Sequence, residues 1–114
     1  NVQDLTMLHV TYKGNPLIIG NEVTIGHSAI LHACEVQDKS LIGMGAQLLD
    51  GCVIPSHSMV AAGSLVSPAK TFPEGYLIMG RPAKAVRKLT DDELEYIEWS
   101  AKHYINLAQG YSPS

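Results

Sequence analysis

The sequence predicts an all-β fold, a parallel β-helix of six-residue repeats, closed by one C-terminal α-helix. Three observations predict it. Aliphatic residues open every sixth position from Val36 to Val66. The fifth position of each of these steps is small. Behind a Pro- and Gly-rich stretch, apolar residues switch to helical spacing.

The repeat runs Val36-Gln-Asp-Lys-Ser-Leu, Ile42-Gly-Met-Gly-Ala-Gln, Leu48-Leu-Asp-Gly-Cys-Val, Ile54-Pro-Ser-His-Ser-Met and Val60-Ala-Ala-Gly-Ser-Leu. Upstream, Ile19-Gly-Asn-Glu-Val-Thr and Ile25-Gly-His-Ser-Ala-Ile fit the same template, with Val23 as the one larger fifth residue. Between them and Val36, the step Leu31-His-Ala-Cys-Glu has one residue fewer. A period of six matches neither the 3.6 of a helix nor the two of a lone strand. It marks a hexapeptide β-helix, in which three hexads make one triangular coil of about 18 residues and the aliphatic residue points inward. Coils then stack at the strand spacing of about 4.8 Å. On this basis residues 1–68 are the β-helix. The chain opens on Asn1 within repeat-like sequence, and further coils are expected upstream of it.

Residues 69–89 read as a connector, because Pro73, Gly75, Gly80 and Pro82 break regular structure. Residues 90–110 read as a helix. Thr90-Asp-Asp-Glu93 is a capping box with acidic residues in the first turn. Leu94, Ile97, Ala101, Tyr104, Ile105 and Ala108 follow at helical spacing, and Gly110 is a stop signal. This amphipathic helix is expected to pack along the outside of the prism, on its own or a neighbouring chain.

Composition narrows the function. With 114 residues the chain is a single domain. A net charge of −3 favours neither nucleic acid nor an anionic membrane surface as partner. No apolar run approaches the roughly 20 residues of a membrane span. The two cysteines, Cys34 and Cys52, match no zinc-ribbon or CxxC spacing and read as small buried thiols.

The histidines carry the chemistry. His27 and His32 are five residues apart. On a helix they would diverge by about 140°, and on a strand they would face opposite sides. In the hexad frame they belong to adjacent sides of the prism. Leu8-His9-Val10 repeats the pattern of Leu31-His32-Ala33, 23 residues earlier. That is one coil plus an excursion of five, which the turn formers of Tyr12-Lys-Gly-Asn-Pro16 supply. His9 and His32 can then stack on consecutive coils, while His27 serves a neighbouring prism. A closed homotrimer would carry equal three-histidine sites at its interfaces. Three neutral imidazoles leave a fourth position open, the arrangement of catalytic zinc. His57 and His103 have no partner at useful spacing, and Glu93, Glu95 and Glu98 read as a solvated face.

Several segments together resemble the gamma-class carbonic anhydrases. They are Asn1-Val-Gln3-Asp4, His9, Gly26-His27-Ser-Ala-Ile-Leu-His32, Gly43-Met-Gly-Ala46, Leu49-Asp-Gly51, Ala62-Gly-Ser-Leu-Val66, Gly80-Arg-Pro-Ala-Lys84 and Ser100-Ala-Lys-His-Tyr104. The resemblance implies a left-handed parallel β-helix, since family knowledge and not the period supplies the hand. It implies His9, His27 and His32 as ligands of Zn2+, with Fe2+ or Co2+ able to take its place. It implies that Gln3 holds the metal-bound water or hydroxide and that Asp4 joins an interface network. The arginine and second acid of that network lie upstream of Asn1 in the family. Tyr104 is the helix residue the resemblance would bring to the site. The family's proton-transfer loop carries a carboxylate, whereas Thr11-Tyr-Lys-Gly-Asn-Pro16 carries none. The implied activity is reversible hydration of carbon dioxide to bicarbonate by a metal-bound hydroxide at a subunit interface. The alternatives are a hexapeptide acyltransferase and a weakly active or inactive homologue with a metal-binding or assembly role. The expected location is cytoplasmic, with mitochondria and respiratory complex I as the alternative.

Overall fold

The computed structural model describes residues 16–110 and, before them, the strand Met7–Leu8; side chains are described from residue 16 to residue 103. The hexads fold as their period demands. Short strands follow one another at Met7–Leu8 (β1), Ile18–Ile19 (β2), Thr24–Ile25 (β3), Ile30–Leu31 (β4), Glu35–Val36 (β5), Leu41–Ile42 (β6), Gln47–Leu48 (β7), Val53–Ile54 (β8), Met59–Val60 (β9) and Leu65–Val66 (β10). Every third strand falls on the same side, giving parallel sheets β1-β4-β7-β10, β2-β5-β8 and β3-β6-β9. These are the three sides of a left-handed parallel β-helix of about three turns.

The register carries the arithmetic of the sequence. Leu41 pairs with Met59 and Ile42 with Val60, one 18-residue coil apart. Thr24 pairs with Leu41, one residue closer, because the five-residue step lies between them. Met7 pairs with Ile30 and Leu8 with Leu31, the longer offset that the Tyr12–Pro16 excursion requires.

Two positions of each hexad fill the prism. The aliphatic ones, Ile25, Leu31, Val36, Ile42, Leu48, Ile54, Val60 and Val66, are all fully buried. The residues that precede each strand, Ala29, Cys34, Ser40, Ala46, Cys52, Ser58 and Ser64, are buried as well; they hold the fifth position, or in the shortened step the fourth. Three of these are polar, and their hydroxyls bond to nearby backbone: Ser40 Oγ donates to the Pro55 carbonyl at 2.8 Å, and Ser58 Oγ to Ser56 at 3.2 Å. Ser64 Oγ accepts from the Gly80 N–H at 3.3 Å. The two cysteines are free thiols, as expected, and they face each other on consecutive coils. A hydrogen bond from Cys52 lowers the Cys34 pKa from its ordinary 9.0, and the same bond, with burial, pushes Cys52 up.

The stretch 69–89, expected as a connector, holds two strands. Tyr76–Gly80 (β11) pairs parallel to β9, continuing that side of the prism, and Ala83–Lys88 (β12) returns antiparallel beside it. The breakers fall at the turns: Pro73 and Gly75 precede β11, and a cis Arg81–Pro82 bond separates the two strands. No proline falls inside either strand, and the one register shift, between Leu77 and Ile78, involves neither Pro nor Gly, so a count of Pro and Gly alone misjudged the segment.

The helix α1 spans Asp91–Gly110. Its capping box forms as read: Thr90 N–H donates to Glu93 Oε1 at 2.9 Å, and Glu93 N–H to Thr90 Oγ1 at 3.2 Å. Ile97 is buried with Leu77 and Leu89, against Leu41, Met59, Ala61 and Leu94. The helix therefore covers the outer face of the β3-β6-β9-β11-β12 sheet of its own chain. Glu93 does more than solvate a face: Arg87 grips both its oxygens at 2.7 and 2.8 Å, tying α1 to β12. Among the described residues no helix is long and apolar enough to cross a membrane.

Candidate metal centre

His27 stands at the corner between β3 and β4. The preceding Gly26 fixes that corner by close approach. A Cβ there would lie 2.7 Å from the Met44 backbone nitrogen, so only glycine lets the corner settle on the next coil. The His27 carbonyl accepts from Gly45 N–H at 2.9 Å, and Ser28 turns the chain with a φ of 59°. With its backbone held this way, the His27 side chain is left exposed.

A cavity of about 300 Å³ opens beside it, between the β3-β6 surface and α1. Its walls are mostly apolar, with Leu41, Ile42, Met44 and Tyr96 among them. Two hydroxyls line it as well. Thr24 Oγ1 and Ser100 Oγ are buried without a hydrogen-bond partner among the described residues. Sequence reading gave no hint of either.

His32 follows β4 at the next corner, where the five-residue step shortens the turn. Its N–H donates to the Leu48 carbonyl at 2.9 Å. Its Nδ1 lies 3.7 Å from Asp50 Oδ1 on the coil above, both side chains being part-exposed. A ligating histidine commonly has its second ring nitrogen directed at a carboxylate, which fixes the tautomer and raises ligand basicity. Asp50 lies on the Nδ1 side of the His32 ring. The signal existed in the sequence: His32-Ala-Cys34 and Asp50-Gly-Cys52 are 18 residues apart, one coil.

The fold thus separates His27 and His32 onto different corners, as the hexad frame requires. Among the described residues, no group of three or more His, Cys, Asp or Glu is placed to hold a metal. Gln3, Asp4 and His9 lie outside the described residues, and Tyr104 belongs to α1 with its side chain outside them. His57 and His103, set aside as metal ligands, have structural contacts: His57 Nδ1 with Glu74 Oε1 at 3.2 Å, and His103 stacked on Trp99 at 4.3 Å. The donor set that is described, an exposed imidazole on a rigid corner and a second one backed by a carboxylate, fits a borderline-soft divalent cation such as zinc.

A coiled prism of hexads with a C-terminal helix places the chain among the hexapeptide-repeat β-helix proteins. Two solved structures share it closely. One is a hexapeptide transferase family protein from Anaplasma phagocytophilum, with a TM-score of 0.92, 44% identity and coverage of 97% of this chain and 64% of that one. The other is a putative acetyltransferase from Bacillus cereus, with a TM-score of 0.94, 42% identity and the same coverage, 97% and 64%. Within that class, the chain is similar over nearly its whole length to gamma-class carbonic anhydrases. It is 54% identical over 114 residues to gamma carbonic anhydrase 2, mitochondrial, of Arabidopsis thaliana, covering 96% of this chain and 41% of that protein. The chain therefore spans less than half the length of that relative. No family model matches it.

Proposed function

We propose that this chain carries part of a zinc-dependent carbonic anhydrase site, catalysing reversible hydration of carbon dioxide to bicarbonate between subunits of a homotrimer. His9 and His32 of one chain and His27 of the next hold the metal. One observation carries the reading: His27 and His32 occupy different corners of the prism, yet His32 has a carboxylate behind its ring at 3.7 Å, as a ligand would. The register adds support, because β1 ends at Leu8 opposite Leu31, and the next residues in sequence are His9 and His32. Zinc bound there supplies Lewis acidity that brings the pKa of water to about 7; Fe2+ or Co2+ supplies the same chemistry. The protein's own residues do the rest. Asp50 orients His32, and the Gly26 corner presents His27 to a neighbouring chain. Gln3 orients the attacking water by hydrogen bonding, Asp4 braces the interface, and Tyr104 borders the site. The apolar cavity beside His27 suits a neutral, poorly hydrated substrate such as carbon dioxide.

Stopped-flow measurement of carbon dioxide hydration by the full-length, metal-loaded protein tests the activity. A rate above buffer that disappears with chelator and returns with zinc supports it. A fully metal-loaded protein with no such rate would point to a metal-holding or assembly role. An acyltransferase is the second reading, favoured by the names of the two solved relatives. It needs an acyl-coenzyme donor and a single catalytic histidine, so thiol release from acetyl-coenzyme A without metal dependence would favour it. For location we keep cytoplasmic and mitochondrial readings, the latter named for the Arabidopsis relative; cell fractionation separates them.

A further inference from the structure

The fold stacks the chain's two cysteines. Each immediately precedes a strand, and β5 pairs with β8 in the register Glu35↔Val53, so Cys34 and Cys52 occupy equivalent places on adjacent coils. Strands neighbour each other at about 4.8 Å, within the Cα separation of about 4.4–6.8 Å that a disulfide needs. Both residues are buried, at 2% and 0% exposure. Burial ordinarily makes a thiol inert, but a cavity of about 140 Å³ reaches this pair, lined also by Pro16, Ile18, Ala33 and Gly51. The small side chains of Ala33 and Gly51 leave that space. A space of that volume is large enough for a peroxide.

We propose that Cys34 and Cys52 form an oxidisable dithiol, a modification site at which a hydroperoxide converts the pair into a disulfide stapling two successive coils. The Cys34 thiol attacks one oxygen of hydrogen peroxide and gives up its proton as the S–O bond forms. The O–O bond breaks, and the departing hydroxide takes up that proton as water, leaving a sulfenic acid on Cys34. The Cys52 sulfur then attacks Cys34 Sγ. The S–O bond breaks, and the second hydroxide leaves as water with the Cys52 proton. Two thiols and one peroxide thus give one disulfide and two waters, with two electrons passing from sulfur to oxygen. The link ties together the coils that carry His32 and Asp50, each two residues upstream of a cysteine. It requires nothing of the metal reading.

The test treats the folded full-length protein with hydrogen peroxide, well below its unfolding temperature, and reads intact mass and free thiols after denaturation. The expected result is a mass about 2 Da lower per chain, loss of both thiols together, a raised Tm and full reversal by dithiothreitol. Cys34→Ser and Cys52→Ser should both fold, because Ser40, Ser58 and Ser64 already fill the same repeat position. Each should gain oxygen rather than lose hydrogen. The proposal is overturned if both thiols survive in the wild type, if one is over-oxidised while the other stays free, or if disulfides form only between chains.

Discussion

Nδ1 of His32 and Oδ1 of Asp50 lie 3.7 Å apart although 18 residues separate them, because successive coils stack one on another. The distance exceeds a formed hydrogen bond. If Asp50 orients His32 for a metal, Asp50→Asn should weaken zinc binding by about 10–100-fold and leave the Tm of the metal-free protein nearly unchanged. A competition titration against a chromogenic chelator reads this directly. Wild-type affinity in the variant would remove Asp50 from the site.

Gly26 is a packing requirement of the His27 corner. A methyl group there would meet the Met44 backbone, which cannot rotate away as a side chain could. Gly26→Ala should cost about 1–3 kcal/mol, the range for forced overpacking, measured by urea unfolding. It should also weaken metal binding, since it displaces His27. Stability equal to wild type would show that the corner is looser than the coil stacking implies.

The hydroxyls of Thr24 and Ser100 are buried without a described partner. A buried donor left unsatisfied gains nothing over an apolar group of the same shape. Thr24→Val and Ser100→Ala should therefore be neutral or stabilising by up to about 1 kcal/mol in urea unfolding. A loss larger than that would mean each hydroxyl has a partner, such as bound water or substrate.

Glu93 gives the fold an acid-sensitive tie. The Arg87 hydrogen bonds, with the Thr90 N–H, hold its pKa down from 4.5 to about 2. A depressed folded pKa adds stability that is complete above the unfolded value and is lost as pH falls through the folded one. The Glu93 contribution should therefore be full above pH 4.5 and fade toward pH 2. Comparing Tm for wild type and Glu93→Gln across that window checks the sign: the gap should narrow as pH drops. A gap that stays constant or widens would contradict the pairing.

The prism was legible because a β-helix writes its register into one dimension. Val36, Ile42, Leu48, Ile54, Val60 and Val66 point inward for the same reason that they recur every six residues. Even the irregular steps were readable, since the short Leu31–Glu35 step brings the pairing one residue closer and Met7 pairs with Ile30 at one coil plus five. The β11–β12 pair was missed because its strand residues follow no hexad, while Pro73, Gly75, Gly80 and Pro82 punctuate the stretch as a connector would. At the site, the separation of His27 from His32 followed from spacing. Asp50 did not stand out, because its role depends on contact between coils. The cavity beside His27 depends on how α1 seats against β3, which no local pattern encodes. Gln3, Asp4 and Tyr104 rest on resemblance alone, whereas His9 rests also on its spacing from His32.

The central claim is that one metal is held by histidines of two chains, and mixed assemblies test it most directly. His27→Ala and His32→Ala should each abolish zinc binding alone. Co-refolded in equal amounts, the two variants should recover a fraction of sites, because an interface can draw His27 from one chain and His9 with His32 from the other. Zinc content of the purified mixed trimers, by elemental analysis, is the readout. Partial recovery is the expected result; none at all, in mixtures shown to exchange subunits, would contradict the shared site.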